Sequence, residues 1–175
     1  MRRFHFALIA AAGLLPAPLG LTAVSTSANV ATQMSEKLFH KVDEFCSQQV
    51  ASLGGRYRPP KLTFFAEPIS GVCDVQAALV GPFYCPVNET VYLDRQFLNI
   101  LSERARNDLN LALGYVVAHE VAHHIQNVIG TTSMVDEARA RSTPELAQRT
   151  FTAMELQADC YSGLWARWAD TRGLI

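Results

Sequence analysis

Residues 114–128, GYVVAHEVAHHIQNV, place three of the chain's five histidines within six positions. His119, Glu120 and His123 form the pattern H-E-x-x-H. Four residues apart on a helix, His119 and His123 project from one face, one turn above the other, where two imidazoles can share a zinc ion. Glu120 is rotated by about 100° from His119, so it borders such a metal without ligating it. From there it can deprotonate a water polarised by the metal, and that water can attack a peptide carbonyl. His124 lies about 100° round the helix from His123 and cannot join His119 on one ion without distortion. It stands four residues after Glu120, so it either hydrogen-bonds that carboxylate or is an ordinary polar-face histidine.

A catalytic zinc needs a third protein ligand and one open position. The segment MELQADC supplies Glu155 and Asp159, again four apart and therefore on one helix face. Glu155 is the candidate third ligand, completing a His2Glu set for one zinc per chain. Asp159 is placed to accept the other ring N–H of a ligating histidine, which would fix its tautomer and orientation. Met154, Leu156, Ala158 and Cys160 make this a partly buried stretch, unlike an ordinary surface pair of carboxylates.

The elements that must carry these residues follow from hydrophobic spacing. A helix should run from near Asn107 or Asp108 to Gly130, and Leu109, Leu111, Ala112, Leu113, Val116, Val117, Ala118 and Val121 make its middle apolar almost all round. That pattern marks a buried, central helix, where three imidazoles and a carboxylate would be costly without a partner. Ser142-Thr143-Pro144-Glu145 opens a last helix with a capping hydroxyl and an early proline. Leu146, Phe151, Met154, Ala158, Tyr161, Leu164 and Trp168 give that helix its apolar side, and residues 131–143 before it read as a looser polar stretch. Upstream, Phe39, Val42, Cys46, Val50 and Leu53 predict an amphipathic helix from Ser35 to Leu53, stopped by Gly54-Gly55. KLTFFA (61–66), GPFYC and TVYLD read as short strands, the last two separated by the turn-rich PVNE. Asp94 is placed to cap a helix through Phe97, Leu98 and Leu101. The expectation is an α+β fold: a long active-site helix packed on a second long helix, with a short antiparallel β-sheet.

The chain has 175 residues and a formal net charge of −1. Its first 28 residues carry Arg2 and Arg3, then an apolar run, then small residues, which is the layout of a secretory signal. Thr26 and Ala28 would sit at the −3 and −1 positions of a cut before Asn29. Pro16, Pro18 and Gly20 interrupt the run and disfavour a membrane-spanning helix, with a retained anchor as the other reading. Residues 29–175 then form one domain, exported to a periplasm or to the outside. No basic block or stripe marks a nucleic-acid partner. Four cysteines in an exported chain suggest two disulfides. Cys73 with Cys85 is favoured because the two flank a short loop and strand, leaving Cys46 with Cys160. The triplet NET (88–90) matches a glycosylation acceptor but reads here as a turn.

The sequence resembles the bacterial predicted neutral zinc metallopeptidase family, which shares the zincin-type site. The resemblance covers roughly Gly55 to Arg167 and rests on YRPPKLTFF, GPFYCPVNETVYLD, YVVAHEVAHHIQN and ELQADCYSGLWA, in that order. It implies a small zincin-like domain that hydrolyses peptide bonds in a peptide or protein substrate. It implies zinc ligands at His119, His123 and Glu155, a catalytic base at Glu120, and Asp159 behind a ligand. It also implies an edge strand in the GPFYC–TVYLD hairpin, to which an extended peptide could pair. Ala122 stands where members usually have glycine, and members often carry an anchor after a longer leader. Members usually continue well beyond the ADC helix, whereas this sequence stops at Ile175. Any oxyanion-stabilising group would then have to come from elsewhere, with Tyr84, Tyr92, Tyr115 and Tyr161 as candidates. The alternative to a peptidase is a non-catalytic zinc-binding or interaction domain derived from one. A purely structural, metal-free domain would require the two motifs to be coincidental. The sequence leaves the oligomeric state open.

Overall fold

The computed structural model describes residues 20–73, 80–105 and 107–175, with the backbone alone over residues 20–28. Helix α1 (Gly20–Ser52) buries Ala31, Ser35, Leu38, Phe39 and Val42, a stripe at helical spacing. It begins well before the expected start at Ser35 and passes the expected leader boundary after Ala28 without a break. The rest of that leader, residues 1–19, lies outside the described residues. No helix among the described residues is long and apolar enough to cross a membrane. Gly54 ends α1 with φ of 75°, a left-handed conformation that costs glycine little.

Three short strands follow: β1 (Lys61–Phe65), β2 (Phe83–Cys85) and β3 (Thr90–Asp94). Their order is β1-β3-β2, so β3 is central and β2 is an edge. The expectation of an antiparallel sheet holds for β2 and β3 but must be corrected for β1, which pairs parallel to β3. The turn at residues 86–89 joins β2 directly to β3 and forces them antiparallel. A long connection separates β1 from β2, and it lets β1 take the far edge of β3 in the same direction. Cys73 and Cys85 form the expected disulfide, tying this connection to the end of β2.

Asp94 ends β3 and caps α2 (Arg95–Arg104), accepting from the Gln96 and Phe97 amides at 2.8 and 3.4 Å. Its other oxygen accepts from the Gly81 amide at 2.9 Å, which fixes the approach to β2. Helix α3 (Leu109–Val128) is central, as its apolar pattern requires, and packs Leu113, Val117 and Val121 into one core with α1, β3, α2 and the last helix. Residues 131–140, expected to be loose, form α4 (Thr131–Ala140). This helix buries nothing, so no apolar stripe announced it. It packs against α5 and α3, with Arg139 lying 4.9 Å over the Phe151 ring, and carries the exposed pairs Asp136–Arg139 and Glu137–Arg141. Helix α5 (Pro144–Asp170) opens with proline behind a Thr143 cap and packs along α3.

Gly114 permits the closest approach of α3 and α5. A Cβ at this position would overlap the indole of Trp165, which is itself fully buried. The expected Cys46–Cys160 disulfide is absent, and both thiols are free. Phe45, beside Cys46, meets the Trp168 ring at 5.7 Å. Cys160 lies eight residues before Trp168, about 12 Å along the helix, beyond the Cα separation a disulfide can bridge. Burial pushes the Cys46 thiol up to about 12.

Candidate metal and catalytic site

The helical spacing of His119 and His123 puts both rings on the face of α3 that looks toward α5, edge to face at 4.7 Å between centroids. Their Nε2 atoms are 3.1 Å apart. From α5, Glu155 places Oε2 3.3 Å from His119 Nε2 and 3.5 Å from His123 Nε2. Among the described residues, only these three bring such ligand atoms within 4.8 Å of one another.

Hydrogen bonds on the far side of each ring determine what faces inward. His119 Nδ1–H donates to Asp159 Oδ1 at 3.0 Å. His123 Nδ1 lies 2.8 Å from Gln126 Oε1. The orientation of that amide is fixed, because Gln126 Nε2 donates to the Met154 carbonyl at 2.8 Å and to Gln157 Oε1 at 2.9 Å. His123 therefore donates to Gln126. Both Nε2 atoms then present bare lone pairs to each other and to a carboxylate oxygen, with no donor among the three. Burial also holds the His123 imidazole below its usual range, which favours the unprotonated ring that a metal requires.

Such a convergence of acceptors repels itself unless a cation lies between them. The fit to zinc is close. Ligands at bond lengths of about 2.0–2.1 Å in tetrahedral geometry stand about 3.3 Å apart, and the three contacts here span 3.1 to 3.5 Å. Two nitrogens and one oxygen are also a donor set that zinc accepts in catalytic sites, with a fourth position left open.

Glu120 lies beside this triad on the β2 side, as its rotation on the helix requires. It is buried, with 7% of its surface exposed. Burial first, and the nearby Glu155 charge second, push its carboxyl up to about 8; the Tyr84 backbone N–H, donating to it, acts in the opposite direction. Glu120 and His119 border an apolar cavity of about 250 Å3, together with Pro82, Phe97, Tyr115 and Val116. A separate apolar groove of about 490 Å3 between α1, α3 and α5 takes in none of these site residues.

The structure thus gathers His119, His123, Glu155 and Asp159, with Glu120 alongside. His124 bonds neither the triad nor Glu120 and is completely buried elsewhere. Of the four tyrosines, only Tyr115 borders the cavity, and its hydroxyl donates to Asp159 Oδ1 at 3.3 Å. Tyr84 and Tyr92 are engaged with Asn127 and Asn88, and Tyr161 lines the separate groove. Sequence reasoning missed Gln126. The available signal was a glutamine three residues after a ligand candidate on an otherwise apolar helix.

Comparison with known proteins gives a consistent result. Residues 20–175 match the family described as "Putative neutral zinc metallopeptidase". The uncharacterised protein YpfJ of Escherichia coli K12 is 31% identical over 152 residues, covering 87% of this chain and 53% of that protein. The uncharacterised proteins Mb2605 of Mycobacterium bovis and Rv2575 of Mycobacterium tuberculosis are each 38% identical over 116 residues. Those matches cover 66% of this chain and 38% of each relative, so the chain spans about half or less of the curated relatives it matches. No solved structure matches.

Proposed function

Because this chain belongs to the neutral zinc metallopeptidase family, we propose that it is a zinc-dependent peptidase with one zinc held by His119, His123 and Glu155. The observation that carries the reading is the set of three acceptor atoms facing one another with no donor between them. A zinc bound there supplies a Lewis acid, which acidifies water and polarises a peptide carbonyl. The chain's own residues do the rest. Glu120 takes the proton of the attacking water and returns it to the leaving amine. Asp159 and Gln126 hold the imidazoles in the tautomer that leaves Nε2 free.

The outer edge of β2 is unpaired within the sheet and lies beside Glu120, so it suits an extended peptide added as a further strand. The apolar cavity next to Glu120 and His119 would take an apolar side chain close to the scissile bond. The basic, apolar and small-residue layout of residues 1–28 and the Cys73–Cys85 disulfide support export to an oxidising compartment.

The deciding experiment is cleavage of a peptide library by the zinc-loaded protein and by its Glu120→Gln variant. Hydrolysis should vanish in the variant while zinc stays near one per chain. Full activity in the variant would remove Glu120 as the base. Bound zinc with no turnover by the parent protein would leave a non-catalytic zinc-binding domain.

A further inference from the structure

Glu120 and His124 are four residues apart and so share a face of α3, the face turned to β2 and next to the one that carries His119 and His123. One residue of the strand meets both. The Tyr84 backbone N–H donates to the Glu120 carboxylate, while its hydroxyl lies 3.0 Å from His124 Nδ1. His124 Nε2 lies 2.7 Å from the Arg58 carbonyl, which can only accept. Nε2 therefore carries the proton, Nδ1 is the acceptor, and the Tyr84 hydroxyl donates to it. The Tyr84 oxygen accepts in turn from Asn127 Nδ2 at 3.1 Å, and the same amide reaches the Pro86 carbonyl at 3.4 Å. Every polar atom of the fully buried His124 side chain is thus engaged. The Tyr84 and His124 rings also pack edge to face at 5.5 Å.

We propose that His124 and Tyr84 are positioning residues for Glu120. They bolt the β2 edge strand to α3, so that the Tyr84 amide stays on the carboxylate and the strand's open edge keeps its distance from the metal ligands. The strand's other ties, the Cys73–Cys85 disulfide at its end and the Gly81–Asp94 bond before it, do not involve α3. The strand is three residues long and pairs with β3 on one side only. The β3 ladder sets its register within the sheet, and Val91 and Leu93 of β3 share a buried core with α3, while the contacts through Tyr84 and Asn127 tie β2 itself to that helix. The hydroxyl of Tyr84 acts on the reaction through the main chain of its own residue, without touching substrate. The catalytic half of this inference rests on the peptidase reading above; the structural half does not.

The test uses Tyr84→Phe, which keeps the ring and removes the hydroxyl. Tyr92→Phe serves as the control, since it removes a hydroxyl bonded to Asn88 within the same hairpin. In zinc-loaded protein, hydrogen exchange at the amides of residues 83–85 should quicken by about tenfold in Tyr84→Phe, roughly the factor one buried hydrogen bond is worth. The α3 amides, the zinc content and the Tyr92→Phe protein should match the parent. On a cleaved peptide, kcat should fall by about tenfold or more in Tyr84→Phe, with KM moving much less. His124→Asn, which retains an acceptor close to Nδ1, should recover part of both losses relative to His124→Ala. If Tyr84→Phe does not fold, that His124 pair supplies the same two readouts. Unchanged exchange at 83–85, or faster exchange with unchanged kcat, would overturn the proposal. If the parent cleaves nothing, the peptidase reading falls, and the exchange measurement alone decides whether this bolt holds the strand.

Discussion

His123 donates its Nδ1–H to Gln126 Oε1 at 2.8 Å, and the amide of that glutamine grips the main chain of α5 one residue before Glu155. Gln126 thus orients one candidate ligand and locates the helix that carries another. Gln126→Ala should weaken zinc binding by about 10–100-fold, the usual range for a group behind a ligating histidine. Glu155→Ala should lose the metal more completely, because a ligand itself is gone. Competition with a chromophoric chelator measures both, and unchanged affinity in Gln126→Ala would show that the amide plays no part in metal binding.

Glu120 gives the metal-free protein a pH dependence whose sign is fixed. Its folded value of about 8 lies above the usual 4.5. Between those values the folded state binds more protons than the unfolded chain. The contribution to stability is therefore complete below about pH 4.5 and is lost as the pH rises through about 8. Each pH unit of that interval corresponds to at most about 1.4 kcal/mol. Glu120→Gln removes the effect. After chelation, the variant should gain in melting temperature over the parent as the pH is raised from about 5 to about 8. A constant difference across that range would refute the buried, protonated carboxyl.

Gly114 is a packing requirement. Gly114→Ala places a methyl group in the indole of the fully buried Trp165. A loss of about 1–3 kcal/mol is expected, as for other overpacked cores. Urea unfolding measures it. Gly163, whose added Cβ would meet nothing within 4 Å, is the control, and Gly163→Ala should not destabilise.

Val116 forms part of the apolar cavity beside Glu120. Val116→Trp should narrow it by placing an indole at its wall. Library cleavage should then shift from large apolar residues near the scissile bond toward small ones, with kcat/KM for the large ones falling about tenfold or more. An unchanged residue preference would assign specificity to another part of the surface.

The grouping of His119, His123, Glu155 and Asp159 was readable because its logic is local. His119 and His123, like Glu155 and Asp159, are pairs at i, i+4, and helical geometry alone puts each pair on one face. The caps at Asp94 and Thr143 and the stop at Gly54 were legible for the same reason. Features set by tertiary contact were not. Helix α4 has no buried stripe to announce it, and the parallel pairing of β1 depends on which edge of β3 the chain reaches. Cys46 and Cys160 were paired by elimination, a rule that ignores distance along α5. His124 was ambiguous because its partners, Tyr84 and the Arg58 carbonyl, are 40 and 66 residues away in sequence.

Two of the candidate ligands lie on α3 and the third on α5, and the polar helix α4 separates them along the chain. An isolated α3 would offer only its histidine pair. The complete set exists only while the two long helices are docked. Metal retention therefore doubles as a gauge of tertiary integrity. A substitution that touches no candidate ligand, such as Gly114→Ala, would register as faster zinc release before it registered as unfolding. Screening variants by the metal they hold would rank how firmly that helix pair is closed.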